Sequence, residues 1–167
     1  MHLLLTRQLD DCSDLIVRFK ELGHVVSHLP LLNIEKVEYN QKSFENCKGI
    51  IFTSSNAIKY LNTKEINKNI KCFCVGLATE KKAKSVGFQN IIAAEGNVRN
   101  LKELILQNFS PVDGNIIYVS GEIISSELDH QLINDGYSVK RLINYRTNHN
   151  KNFENKFVEK LKKNIPD

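Results

Sequence analysis

Short apolar runs alternate with amphipathic segments along most of the 167-residue chain. Helical spacing of apolar residues begins at Asp10 and stops at Gly23, a residue that commonly follows the end of a helix. The same alternation continues downstream, with polar or small residues at each boundary. The pattern predicts strands at 2–6, 24–29, 49–53, 70–75, 90–93, 115–119 and 138–144, and helices at 10–22, 54–62, 77–86, 97–108, 124–134 and 150–163.

This alternation of strands and helices with short connections predicts an α/β protein with a doubly wound parallel sheet. Residues 31–39 differ, because apolar and polar side chains alternate there as in an exposed β-ribbon. The apolar runs of the other strands are those of a buried sheet. We expect the following side chains to be buried in it: Ile50, Phe52, Phe73, Val75, Ile117 and Val119.

Polar turns follow three of the predicted strands, at 53–56, 76–79 and 120–125. In open α/β sheets ligands bind beyond the carboxyl ends of the strands, and hydroxyls beside free backbone N–H groups suit an anion. Each turn alone is better explained as an ordinary helix cap, but two turns at one edge favour a binding site. The candidate residues in these turns are Thr53, Ser54, Thr79, Gly121 and Ser125.

Composition and charge exclude several functions. The net charge of +4 comes from scattered lysines, which predicts no nucleic-acid surface but is compatible with an anionic small molecule. No dinucleotide fingerprint, P-loop or nucleophile elbow occurs, and the histidines and cysteines have no metal-binding spacing. No apolar run reaches the roughly 20 residues that span a bilayer, and the N-terminus does not have the pattern of a signal peptide. We therefore expect a cytoplasmic protein with no metal, no membrane and no nucleic-acid partner.

Several segments together resemble the uroporphyrinogen-III synthase family. They are LLLTR, ELGHVVSHLPLLNIE, GIIFTSSNAI, CFCVGLATEKKAKSVGF and GNIIYVSGE…LINDGYSVKRLINYRT, and they follow the family's order from residue 3 to about residue 147. The resemblance implies two α/β domains joined by a β-ribbon, with the active site in the cleft between them. It also implies that the linear tetrapyrrole hydroxymethylbilane loses water and closes, with inversion of ring D, to uroporphyrinogen III. The family uses no cofactor.

The resemblance also implies roles for individual residues. Tyr145 matches the tyrosine that faces the cleft in the family and is the candidate for assisting loss of the hydroxyl; an equal alternative is a partly buried tyrosine that anchors the linker. Ser120 and Ser125 stand where many members carry Arg, which removes donors for substrate carboxylates. Together with Thr53 and Ser125 from the turns, the matched positions Thr6, Arg7, Ser54, Thr79 and Gly121 complete the predicted substrate-binding set.

Family order also predicts the domain organisation. It predicts a partial first α/β domain at 1–30, a β-ribbon linker at 31–41, a complete flavodoxin-like domain at 42–142, and a return linker with a helical tail at 143–167. Family members continue further and complete the first domain, so we expect one cleft wall to be largely missing, little type III product, and self-association through the incomplete domain. Two alternatives stay open, namely a noncatalytic α/β module that binds an anion or a partner, and an inactive remnant.

Overall fold

The computed structural model describes residues 1–150 and 155–167. The chain divides into two compact units: Met1–Glu35 with Thr147–Asp167, called the small unit, and Lys36–Arg146, called the large unit. The strands are β1 His2–Leu5, β2 Val25–His28, β3 Leu32–Lys36, β4 Cys47–Phe52, β5 Lys71–Val75, β6 Ile91–Ala94, β7 Asn115–Gly121 and β8 Val139–His149. The helices are α1 Leu9–Glu21, α2 Ser55–Lys59, α3 Gly76–Ser85, α4 Val98–Asn108, α5 Leu128–Asn134 and α6 Asn155–Lys163, with 3-10 turns at Gln41–Phe44 and Pro111–Asp113.

The sheet of the large unit contains five parallel strands in the order β8-β7-β4-β5-β6, with β3 beside β8. The doubly wound parallel sheet predicted from the sequence is confirmed. Its strand order differs from that of flavodoxin, because β4, the first strand of the unit, lies in the middle with two parallel strands on each side. Strands β5 and β6 are added on one side of β4, and after β6 the chain crosses back to add β7 and β8 on the other side. The point where the strand order reverses therefore lies between the neighbouring strands β4 and β7.

Both faces of this sheet are covered by helices. On one face Phe52 packs with Ala57 of α2 and Ala83 of α3, and on the other face Phe73 packs with residues of α4 and α5. Alternate residues of one strand serve opposite faces, so neighbours along β4 join different cores. Of the six residues predicted to be buried, Val75 is wrong: it is half-buried, because it is the last residue of β5 and directly precedes α3.

Two predicted boundaries near the end of the large unit are also wrong. Helix α5 begins at Leu128 and not at 124, so Ser125 lies in a non-helical segment and not at a helix start. The spacing of Ile124 and Leu128 resembled one helical face, but Ile124 lines a pocket and Leu128 is buried in the core. Strand β8 continues to His149, five residues beyond the predicted end.

The small unit contains the parallel pair β1–β2, joined through α1, and the helix α6. The His2 ring nitrogen Nε2 lies 2.8 Å from the Ser27 hydroxyl, and both side chains are buried. The apolar side chains of α1 are largely exposed, with Val17 at 54% and Leu22, just after the helix, at 70%. Residues 151–154 of the predicted helix 150–163 lie outside the described residues, Asn150 is not helical, and α6 accounts for the remainder. Among the residues that the structure describes, no helix is long and apolar enough to cross a bilayer.

Candidate functional site

A pocket of about 380 Å³ lies at the carboxyl ends of β4 and β7. This is the point where the chain reverses its direction across the sheet, and such switch points leave a crevice between the loops that depart to opposite faces. The residues that line it carry no ionised side chain at neutral pH, and most of its polar groups are hydroxyls. They are Thr53, Ser54, Tyr118, Gly121, Ile123, Ile124, Ser125 and Tyr145.

Two of these hydroxyls form a hydrogen bond with each other inside the pocket. The Thr53 Oγ1 and Tyr118 OH atoms lie 3.1 Å apart, and the Tyr118 side chain is 1% exposed. Burial raises the pKa of Tyr118, while the hydrogen bond to Thr53 and the charge of Arg141 oppose the rise. The pair has two hydroxyl protons and needs only one for the mutual bond, so the second is available for a ligand oxygen.

The Ser54 hydroxyl can also donate a hydrogen bond to a ligand. It is the N-cap of α2, and its hydroxyl oxygen accepts the backbone N–H of Asn56 at 3.2 Å. An N-cap hydroxyl that accepts in this way keeps its own O–H for another acceptor. Across the pocket, Ser125 is exposed and adds a further hydroxyl. The lining can therefore donate several hydrogen bonds to an anionic or oxygen-rich ligand.

Tyr145 covers the end of β7. It pairs with Gly121 in the sheet register, next to an irregularity between Ser120 and Gly121, and its carbonyl oxygen accepts the N–H of Glu122 at 2.9 Å. A Cβ atom at Gly121 would lie 2.7 Å from Tyr145 Cε2 and Cζ, so only glycine lets the ring lie this close. The Tyr60 ring stacks beside it with centroids 6.4 Å apart. These contacts hold the phenol ring at the pocket wall.

The turn after β5 was predicted to lie at the same edge as the turn after β4, and this is confirmed by the parallel pairing of the two strands. The two turns do not line one pocket, however. Gly76 and Glu80 line a separate pocket of about 420 Å³ with residues at the end of β6 and directly after it. Thr79 is 4% exposed within α3 and is not among the residues of either lining.

Thr6 and Arg7 belong to the small unit, where both are exposed after β1. The guanidinium of Arg7 lies 3.6 Å from the carboxylate of Asp11, one helical turn further along. The Thr6 carbonyl accepts the N–H of Leu31. No group of three or more metal-ligating side chains occurs among the residues described in the structure.

Sequence reasoning missed three residues of the pocket, namely Tyr118, Ile123 and Ile124. A hydroxyl inside the apolar run 116–119 was a usable signal for Tyr118, because a buried tyrosine normally needs a partner. No comparable signal existed for Ile123, whose side chain is 78% exposed at the pocket.

A doubly wound sheet with a hydroxyl-lined pocket at its switch point is typical of an α/β domain that binds a small molecule. The family model described as uroporphyrinogen-III synthase HemD matches residues 13–167, and the chain belongs to this family. No curated protein matches the sequence.

Solved structures show the same fold. A mutant uroporphyrinogen III synthase from the extremely thermophilic bacterium Thermus thermophilus superposes with a TM-score of 0.61 at 14% identity, over 90% of this chain and 64% of that chain. The uroporphyrinogen-III synthetase of Helicobacter pylori 26695 gives a TM-score of 0.60 at 16% identity, over 96% of this chain and 67% of that chain. This chain spans about two thirds of the length of both proteins, so the activity of a whole synthase remains a proposal here.

Proposed function

We propose that this chain binds hydroxymethylbilane in the pocket between β4 and β7 and carries out the ring closure of its family, with loss of water and inversion of ring D. The observation that carries the proposal is the position of Tyr145, whose ring is packed on Gly121 at the wall of a pocket lined by hydroxyls. We further propose a cytoplasmic location, which is supported by four free, buried thiols.

Substrate carboxylates are the proposed partners of the pocket hydroxyls. The available protons of Ser54, Ser125 and the Thr53–Tyr118 pair suit carboxylate oxygens, which accept hydrogen bonds at about 2.5–2.7 Å from hydroxyl donors. The absence of acidic side chains from this lining avoids repulsion between like charges. Thr6, Arg7 and Thr79 stay proposed substrate contacts on the strength of the family alone.

Tyr145 is the proposed catalytic residue. Loss of the substrate hydroxyl leaves water as the product, so a proton has to reach the departing oxygen, and a phenol can donate it through a hydrogen bond. The Tyr145 hydroxyl has no hydrogen bond to any other residue that the structure describes, so its proton is available for the leaving oxygen. Replacement by phenylalanine removes this donor and keeps the ring on Gly121.

A product assay tests this role. Fresh hydroxymethylbilane closes spontaneously to the symmetric type I isomer, so the type III fraction reports enzymatic closure. We expect wild type to raise the type III fraction, and Tyr145→Phe to lower the rate of type III formation by roughly 10²–10⁴-fold, the range for loss of a general acid. Tyr60→Phe is the matched control, since it removes a hydroxyl from the adjacent ring. Equal rates for Tyr145→Phe and wild type would remove Tyr145 from the mechanism.

The same assay decides between this proposal and the sequence-based expectation of little type III product. Binding is therefore measured independently with uroporphyrin III, the stable fluorescent relative of the product. If the porphyrin binds but the isomer ratio stays spontaneous, the chain is the noncatalytic anion-binding module that the sequence left open.

A further inference from the structure

The segment that carries Ser125 has no regular secondary structure of its own. Residues 122–127 lie between β7 and α5, and Glu127 makes no side-chain hydrogen bond to cap the helix that follows. Ile123 and Ser125 are exposed and line the pocket, so they gain little from burial in a core. This wall of the pocket therefore needs contacts with residues outside the segment to keep its position.

The side chain of Arg141 supplies contacts of this kind to residues 120–122. It lies on β8 opposite Tyr118 in the register of the sheet. Its Nε donates to the Ser120 hydroxyl at 2.9 Å, and its Nη2 donates to the carbonyl oxygens of Gly121 and Glu122, both at 2.8 Å. One guanidinium thus holds three consecutive residues at the start of the pocket wall.

Strand β8 holds the same segment from a second point. The Glu122 N–H donates to the carbonyl oxygen of Tyr145, four residues beyond Arg141 on the same strand. Glu122 is therefore fixed through its carbonyl by Arg141 and through its amide by the backbone of the proposed catalytic tyrosine. The position of the segment that carries Ser125 and the position of the Tyr145 phenol are set together.

We propose that Arg141 is a positioning residue, which fixes residues 120–122 so that the Ser125 wall of the pocket stays in register with Tyr145. This inference rests on the proposed function. A guanidinium is rigid, planar and always charged, and it can reach several oxygens at fixed angles, whereas the ammonium of lysine is one flexible point charge. Lysine at this position would keep the charge and lose most of the geometry.

The contacts themselves are tested by hydrogen–deuterium exchange of the whole protein, on wild type, Arg141→Lys and Lys140→Gln. Lys140 is the matched control, because it is the neighbouring cation on β8 but contacts Ser43, which lines a different pocket. We expect the peptide that covers 120–127 to exchange at least about tenfold faster in Arg141→Lys and at the wild-type rate in Lys140→Gln. Loss of the hydrogen bonds from Arg141 allows this segment to open locally.

The functional consequence is tested on the same proteins with uroporphyrin III titrations. We expect the affinity to fall about fivefold to tenfold in Arg141→Lys, since misplaced hydroxyls lose hydrogen bonds to the ligand. Faster exchange together with weaker binding supports the inference. Unchanged exchange overturns it, and so does faster exchange with unchanged affinity, which would leave Arg141 a purely structural role. Failure of wild type itself to bind the porphyrin refutes the proposed function, while the exchange data still decide whether Arg141 holds the segment.

Discussion

Alanine at position 121 tests the packing that places Tyr145. The added Cβ would lie 2.7 Å from Tyr145 Cε2 and Cζ and 3.0 Å from the phenol oxygen. Gly121 does not adopt the left-handed conformation, so alanine brings no backbone strain and the ring is the source of the cost. The carbonyl of Tyr145 is bonded to the Glu122 N–H, so the ring moves more easily than the strand.

The size of the effect follows from these distances. Carbon atoms in contact are normally about 3.5–4.0 Å apart, so the ring has to move by roughly 1 Å. Overpacking of this kind costs about 1–3 kcal/mol, and replacement of glycine in the unfolded chain offsets about 0.4–1 kcal/mol. We expect Gly121→Ala to lower the free energy of unfolding by about 1–2 kcal/mol. A catalytic group displaced by about 1 Å can cost on the order of a hundredfold in rate.

A double-mutant cycle isolates this contact. Urea unfolding, followed by circular dichroism because the chain has no Trp, is measured for wild type, Gly121→Ala, Tyr145→Ala and the double variant. Gly121→Ala should be neutral or stabilising once the ring is gone, which gives a coupling of about 1 kcal/mol or more. In contrast, Gly49→Ala meets Phe109 at 3.1 Å and should cost the same with or without Tyr145. An equal cost of Gly121→Ala in both backgrounds would refute the packing argument.

Three further predictions concern capping, pH and association. Ser54→Ala should destabilise the protein by about 1 kcal/mol and Ser54→Gly by only a few tenths, because glycine also suits an N-cap; equal losses in urea unfolding would contradict the capping role. Burial raises the pKa of the Cys47 thiol from 9.0 to about 11, so the thiol contributes roughly 2–3 kcal/mol to the free energy of unfolding below pH 9, and this contribution is lost as the pH rises to 11. The free energy of unfolding of Cys47→Ala should therefore fall less steeply over this pH range than that of wild type, and an equal fall in both proteins would show that Cys47 is not its cause. Val17→Lys and Leu22→Lys should reduce the self-association proposed for the small unit, measured by sedimentation velocity, and a monomeric wild type would contradict that proposal.

The sequence predicts the elements of this fold better than the details of its site. Strand β4 and the turn at 53–54 are recognisable because a buried apolar run ends abruptly in hydroxyl residues. Helix α5 is less predictable, since Ile124 fits a helical period but its side chain faces the pocket. A periodicity shows that a side chain avoids water, and it does not show whether a core or a pocket takes it up.

The contacts of Tyr118 and Arg141 could not be predicted in the same way. Tyr118 reaches Thr53 through the register between β7 and β4. Arg141 reaches Ser120 through the register between β7 and β8, where an irregularity also brings Tyr145 beside Gly121. Register is determined by pairing between distant strands and leaves no local pattern in either segment. The resemblance to a family identified Tyr145, but only the packed structure relates it to Thr53, 92 residues earlier in the chain.

Equilibrium binding of uroporphyrin III to wild type and to Ser54→Ala with Ser125→Ala tests the central claim, that this pocket takes a tetrapyrrole through hydroxyl donors. Ser43→Ala is the control, because it removes a hydroxyl from a different pocket of the large unit. We predict saturable binding to wild type and to the control, and an affinity at least about tenfold lower for the double variant, since each lost hydrogen bond to a charged group is worth about 1.5–3 kcal/mol before water replaces it. No saturable binding to wild type, or equal affinities for all three proteins, would contradict the account.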